Sequence, residues 1–154
     1  MSEMPPDPSA ASRGAAAPEQ EPAVEGIREL ASRVFGMARD GDAASLAQYV
    51  DAGVPVNLTN EDGNTLVMLA AYHGHTEAVV ALIARGAEVN RLNDRGQSPV
   101  AGAVFKGEDA VVRALVDGGA DPHAGHPTAA DTARMFGRKD LLEVLEPRRG
   151  PDEG

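Results

Sequence analysis

At 154 residues the chain has room for one domain plus tails, and its 3% aromatic content, with no Trp, suits thin layers of close-packed helices better than a large core. With no Cys it carries no disulfide framework, zinc thiolate site or thiol nucleophile. A net charge of −10, with Lys106 and Lys139 the only lysines, argues against binding nucleic acid or an anionic membrane, since both are held by Lys and Arg.

Residues 1–25 are rich in Pro, Ala and acid, with almost no branched apolar residue. Such a segment buries too little surface to offset its ordering entropy, so a disordered acidic tail is expected there. Its start, MSEMPPDPSAASRG, has neither a basic nor an apolar signal region. No run of ~18 apolar residues follows, and the expectation is a cytoplasmic protein. Ile27, Leu30, Ala31, Val34, Phe35 and Ala38 then keep helical spacing, which predicts a first helix over roughly residues 26–39.

From there the chain repeats itself. Residues 63–90, GNTLVMLAAYHGHTEAVVALIARGAEVN, recur as residues 96–123, GQSPVAGAVFKGEDAVVRALVDGGADPH, at an offset of 33. Gly63, Thr65, Ala70, Gly74, Gly86 and Asn90 map onto Gly96, Ser98, Ala103, Gly107, Gly119 and His123, and counting back by 33 reaches Gly41 and Gly53. A fixed period of this length predicts stacked supersecondary units, which mostly make binding surfaces.

Each unit reads as two short helices. Thr65, Ser98 and Thr128 are expected N-caps of the first helix, with Pro99 at a position that needs no amide donor. That helix should end near His73-Gly74, Lys106-Gly107 and Phe136-Gly137. The second repeats an apolar triad, Leu46/Tyr49/Val50, Val79/Leu82/Ile83 and Val112/Leu115/Val116, and closes at Gly53, Gly86 and Gly119. VPVNLTNEDG and AEVNRLNDRG follow as projecting, hairpin-like loops. The third loop, ADPHAGHPT, is about three residues shorter, because Thr128 lies only 30 residues after Ser98. The last unit sets a polar face over Leu141, Leu142, Val144 and Leu145, as a terminal repeat requires. Pro147 opens a frayed tail over residues 147–154.

These residues resemble ankyrin repeats. The pattern G-x-T-P-L-x-x-A-A-x-x-G-H-x-x-V-V-x-x-L-L-x-x-G-A-D-V-N stands out in residues 63–90 and more loosely in residues 96–123. The resemblance implies an all-α solenoid over residues 26–146, in units of about 26–59, 60–92, 93–124 and 125–146. The family's Thr-Pro-Leu-His is replaced by Thr65-Leu66-Val67-Met68 and Ser98-Pro99-Val100-Ala101, so the helix-start His that ties neighbouring repeats is absent from both complete units. Gly102, inside a short helix, is expected to weaken its unit by roughly 1 kcal/mol relative to Ala.

No catalytic arrangement emerges. His73 and His75 flank Gly74, while His123 and His126 lie in the third loop, but no HExxH spacing joins them to a carboxylate. His75 falls at the family's Gly-His turn, and His123 at the loop position of Asn57 and Asn90, where a polar side chain closes the turn. No metal, cofactor or catalytic residue is expected, and the chain does not read as an enzyme. The resemblance implies instead a concave groove made by loop tips and the exposed side of the first helices. On this chain those positions are Arg39, Asp40, Glu61, Asp62, Asn64, Tyr72, His73, Asp94, Arg95, Gln97, Phe105, Lys106, Met135 and Phe136. Tyr72, Phe105 and Met135 share one register and should form an apolar ribbon, with Tyr72, Phe105 and Phe136 as the anchors and Glu61, Asp62 and Asp94 reading basic groups. The expected role is a monomeric, non-catalytic module that binds one protein partner. The alternative is an acidic inhibitor that masks the basic site of a nucleic-acid-binding protein.

Overall fold

A computed structural model describes the backbone of residues 16–147 and the side chains of residues 26–147. Among the described residues there are eight helices and no strand: α1 (Ala16–Asp40), α2 (Ala43–Asp51), α3 (Leu66–Tyr72), α4 (Thr76–Ala84), α5 (Pro99–Lys106), α6 (Asp109–Asp117), α7 (Ala129–Met135) and α8 (Lys139–Leu145). The chain's contacts divide inside α1, between Arg33 and Val34.

The first helix departs from expectation. It starts at Ala16 rather than near residue 26, so the described part of the expected disordered tail, residues 16–25, is helical. Ala, Glu and Gln favour a helix there, although Pro22, well inside α1, opposes it. Pro18 falls in the first turn, where no amide donor is needed. The rest of both expected tails, residues 1–15 and 148–154, lies outside the described residues. Ile27, the first of the apolar residues at helical spacing, is 64% exposed.

From Val34 onward the helices form two rows. The inner row stacks α3 on α5 and α5 on α7, while the outer row stacks α2, α4, α6 and α8 in turn. Each pair is then closed internally, α3 on α4, α5 on α6 and α7 on α8. Thr65 Oγ1, Ser98 Oγ and Thr128 Oγ1 accept from the amides of Met68, Ala101 and Asp131 at 3.2, 3.1 and 3.0 Å, so all three expected caps form. The inner helices end where the Gly signals put them, and α5 closes on Gly107 at φ +73°. Leu46, Leu66, Leu82, Leu115 and Leu141, with Val34, Val67, Val79, Val100, Val104 and Val112, are fully buried and form the core. In each triad of the outer helices the first residue is buried, whereas Tyr49, Val50, Ile83 and Val116 are only half-buried.

Side chains tie one unit to the next and take over the task of the missing helix-start His. His75 Nε2 lies 2.7 Å from the carbonyl oxygen of Arg39, and its ring sits over Gly41, where any Cβ would collide with it. Asn57 donates to the Gly86 carbonyl at 3.4 Å and accepts from the Glu88 amide at 2.8 Å. Asn90 repeats this with Gly119 at 3.1 Å and Asp121 at 2.6 Å. These asparagines thus bridge units rather than close their own turns. His123, at the same register, contacts the Glu146 carboxylate at 3.0 Å instead.

Candidate binding face

The loops come first, because they carry the acidic tips. Asn60 Oδ1 accepts from the amides of Asp62 and Asn64, both at 3.0 Å, and Asn93 Oδ1 does the same for Arg95 and Gln97. A short polar side chain that bonds backbone two residues ahead sets each tip without a β-ladder; the single bridge in this region joins Thr59 and Thr65. The tips then stack: the Asp94 amide donates to the Asp62 carbonyl at 3.0 Å, and the His126 amide donates to the Gly96 carbonyl at 2.9 Å. Asn93 Nδ2 also donates to Asn64 Oδ1 at 2.9 Å and to Gln97 Oε1 at 2.8 Å.

Beside the tips runs the free side of the inner row. Leu66 to Ala71 of α3 are buried, while Tyr72 and His73 at its end face outward. Tyr72, Phe105, Met135 and Phe136 are 41%, 59%, 70% and 47% exposed. Tyr72, Phe105 and Met135, at one register, line a common apolar cleft with Phe136, and the close contacts along it run diagonally. Phe105 pairs with Phe136, ring centroids 5.7 Å apart and tilted 48°, and the ammonium of Lys106 sits 4.7 Å from the centre of the Tyr72 ring. Each aromatic thus meets the residue one place further along in the next unit, because helical side chains lean back toward the N-terminus and cover the place of the residue before them. The Lys106 contact is a cation–π pair of ~0.5–1 kcal/mol at such exposure.

Two clefts lie on this face. One, about 370 Å³, is polar and is lined by Asp62, Asn64, Tyr72, His73, Asn93, Asp94, Arg95 and Gln97 over a floor of Met68 and Leu69. The other, about 270 Å³, is apolar and lies among Ala101, Gly102, Phe105, Pro127, Thr132, Met135 and Phe136. Met68, Tyr72 and Gln97 line both, so the two are continuous. Burial lowers the His73 imidazole below its ordinary value, and the neighbouring His75, Lys106 and Arg39 act in the same direction against a smaller opposing pull from Asp40. Its neutral form is therefore favoured.

Ten of the fourteen sequence-predicted residues line these clefts: Asp62, Asn64, Tyr72, His73, Asp94, Arg95, Gln97, Phe105, Met135 and Phe136. Arg39, Asp40, Glu61 and Lys106 line neither, though all four are exposed. Met68, Leu69, Asn93, Ser98, Ala101, Gly102, Pro127 and Thr132 line the clefts without having been among the predicted positions. Asn93 could have been found, since it stands one period after Asn60. Among the described residues no group of three or more His, Asp or Glu is placed to hold a metal ion, and no helix is long and apolar enough to cross a membrane.

Helix pairs stacked at a fixed period, with loop tips projecting to one side, define a helical repeat solenoid. The chain belongs to the ankyrin repeat family, whose profile, described as ankyrin repeats in 3 copies, matches residues 34–126. It is 42% identical over 52 residues, 34% of this chain and 30% of the relative, to a Pseudomonas aeruginosa protein named for its ankyrin repeats. It is also similar to the crystal structure of the human ASB11 ankyrin repeat domain, with 27% identity and a TM-score of 0.64 over 73% of this chain and 52% of that one. The chain thus spans under a third of the curated relative and about half of the solved domain. Ankyrin repeats are generally non-enzymatic protein–protein interaction modules.

Proposed function

We propose that this protein is a non-catalytic, monomeric interaction module that holds one protein partner in the groove formed by the two clefts and the loop tips. The observation that carries this reading is the run of exposed Tyr72, Phe105 and Phe136 along one face, flanked by acidic tips. Clustered exposed aromatics are the usual anchors of interfaces, while scattered ones need no explanation. Tyr72, Phe105 and Phe136 are the anchors; Glu61, Asp62 and Asp94, none of which pairs with a cation among the described residues, read basic groups on the partner.

The test has two stages. The full chain serves as bait, and mass spectrometry identifies what it retains. Calorimetry then compares that partner's affinity for the parent and for Tyr72→Ala with Phe105→Ala. The double variant should stay folded and lose ~2 kcal/mol or more of binding energy, because aromatic anchors carry most of an interface. Unchanged affinity would place the binding face elsewhere. The net charge of −10 favours a second reading, an acidic inhibitor covering a basic nucleic-acid-binding site. Salt separates the two: affinity should fall steeply with ionic strength for the inhibitor and shallowly for an anchor-driven groove.

A further inference from the structure

Gly102 lies inside α5, one period after the buried Leu69, and its backbone does not adopt the left-handed region. A Cβ built there would meet only the Tyr72 ring edge, at 3.5 Å, an ordinary contact. Neither backbone geometry nor packing therefore demands glycine, although glycine weakens a helix interior. What the missing side chain does is deepen the apolar cleft between Tyr72 and the Phe105–Phe136 pair.

The apolar cleft, about 270 Å³, is one compartment of the continuous groove. It suits a single large side chain. Next to it the polar cleft holds the carboxylates of Asp62 and Asp94, neither paired with a cation among the described residues. With Glu61 they outnumber Arg95 at the loop tips, and Lys106 is occupied over the Tyr72 ring. Resting on the groove reading above, we infer that Gly102 shapes a specificity pocket for one bulky apolar side chain, Phe, Leu or Met, on an extended basic segment of the partner. A Lys or Arg of that segment reaches Asp62 and Asp94. Neighbouring inner helices lie ~8–10 Å apart, and a segment in the extended polyproline II form advances ~3.1 Å per residue with about three residues per turn, so side chains three positions apart face the same side at about that spacing.

Four fluorescent peptide pools decide the matter, with all other positions randomised: Lys-x-x-Phe, Phe-x-x-Lys, Glu-x-x-Phe and Lys-x-x-Ala. Anisotropy against the full chain should favour one of the Lys/Phe pools over the Glu and Ala pools by tenfold or more. Gly102→Leu, which fills the cleft, should abolish the preference for Phe over Ala, and Gly102→Ala should reduce it, with circular dichroism reporting that each variant is folded. Asp62→Asn with Asp94→Asn should remove the preference for Lys over Glu and leave that for Phe. Equal binding of all pools, no binding, or a Glu preference overturns the inference. So does a Phe preference that both Gly102 variants retain. In these cases the groove reading stands or falls separately, on whether a captured protein partner is lost by Tyr72→Ala with Phe105→Ala.

Discussion

Single polar residues hold this protein's loops in register. Asn93 satisfies two backbone amides through Oδ1 and reaches both Asn64 and Gln97 through Nδ2, whereas Asn60 supplies the two amide contacts alone. Asn93→Ala should therefore cost ~1–3 kcal/mol in urea unfolding, and Asn60→Ala about 1 kcal/mol. Equal costs would mean that the link between tips contributes nothing. Arg138 offers a second test: at 2.7 and 2.9 Å it joins Asp109 of α6 to Asp140 of α8. Its hydrogen bond holds the Asp140 carboxyl down at about 2, below the ordinary 3.8. A depressed carboxyl stabilises the fold above its unfolded value, and that contribution disappears as pH falls from 3.8 toward 2. Asp140→Asn should flatten acid unfolding in that window; an unaltered profile would show that the ion pair is inert, as many exposed ones are. The exposure of Tyr72 and Phe105 was legible from the repeat, since equivalent positions share exposure. The Lys106 and Phe136 contacts were not, because they depend on which way side chains lean at a helix end.

At the scale of elements, short helices here rest on caps and glycines more than on length. The hydroxyl caps and Gly stops were readable because each follows from a donor count or from one backbone angle. The start of α1 was not, because helix propensity acts without a hydrophobic pattern to betray it. Two substitutions separate the roles of glycine. Gly102→Ala should stabilise by ~0.5–1 kcal/mol, since a methyl meets only ordinary contact in a helical backbone. Gly41→Ala should destabilise by ~1–2 kcal/mol or more, from the φ of +80° alone, before the collision with the His75 ring is counted. Thermal unfolding of the pair tests both signs. Deleting residues 1–25 should shift the melting temperature by less than ~5 °C, because Gly26–Glu29 are already exposed where the deletion ends.

At the scale of the whole molecule, stability passes from neighbour to neighbour along two rows. Leu82 and Leu115 are fully buried at the centre of the outer row, so truncating either to Ala should cost ~2–5 kcal/mol. With so few units, loss of one should unfold the rest together, and hydrogen exchange should show protection falling across α3 to α8 in concert. Melting confined to the mutated unit would contradict that coupling. The bridges at Asn57, Asn90 and His123 also say how such a chain can grow. In the language of polymerisation, Asn57, Asn90 and His123 all reach into the monomer ahead, but the asparagines grip a backbone carbonyl that every copy of the unit presents, whereas His123 grips the Glu146 side chain of the last unit. A duplicate of residues 60–92 spliced in after Leu92 would find Asn90 behind it and the Gly119 carbonyl in front, whereas the same duplicate appended after Leu145 would separate Glu146 from His123. This solenoid lengthens from within.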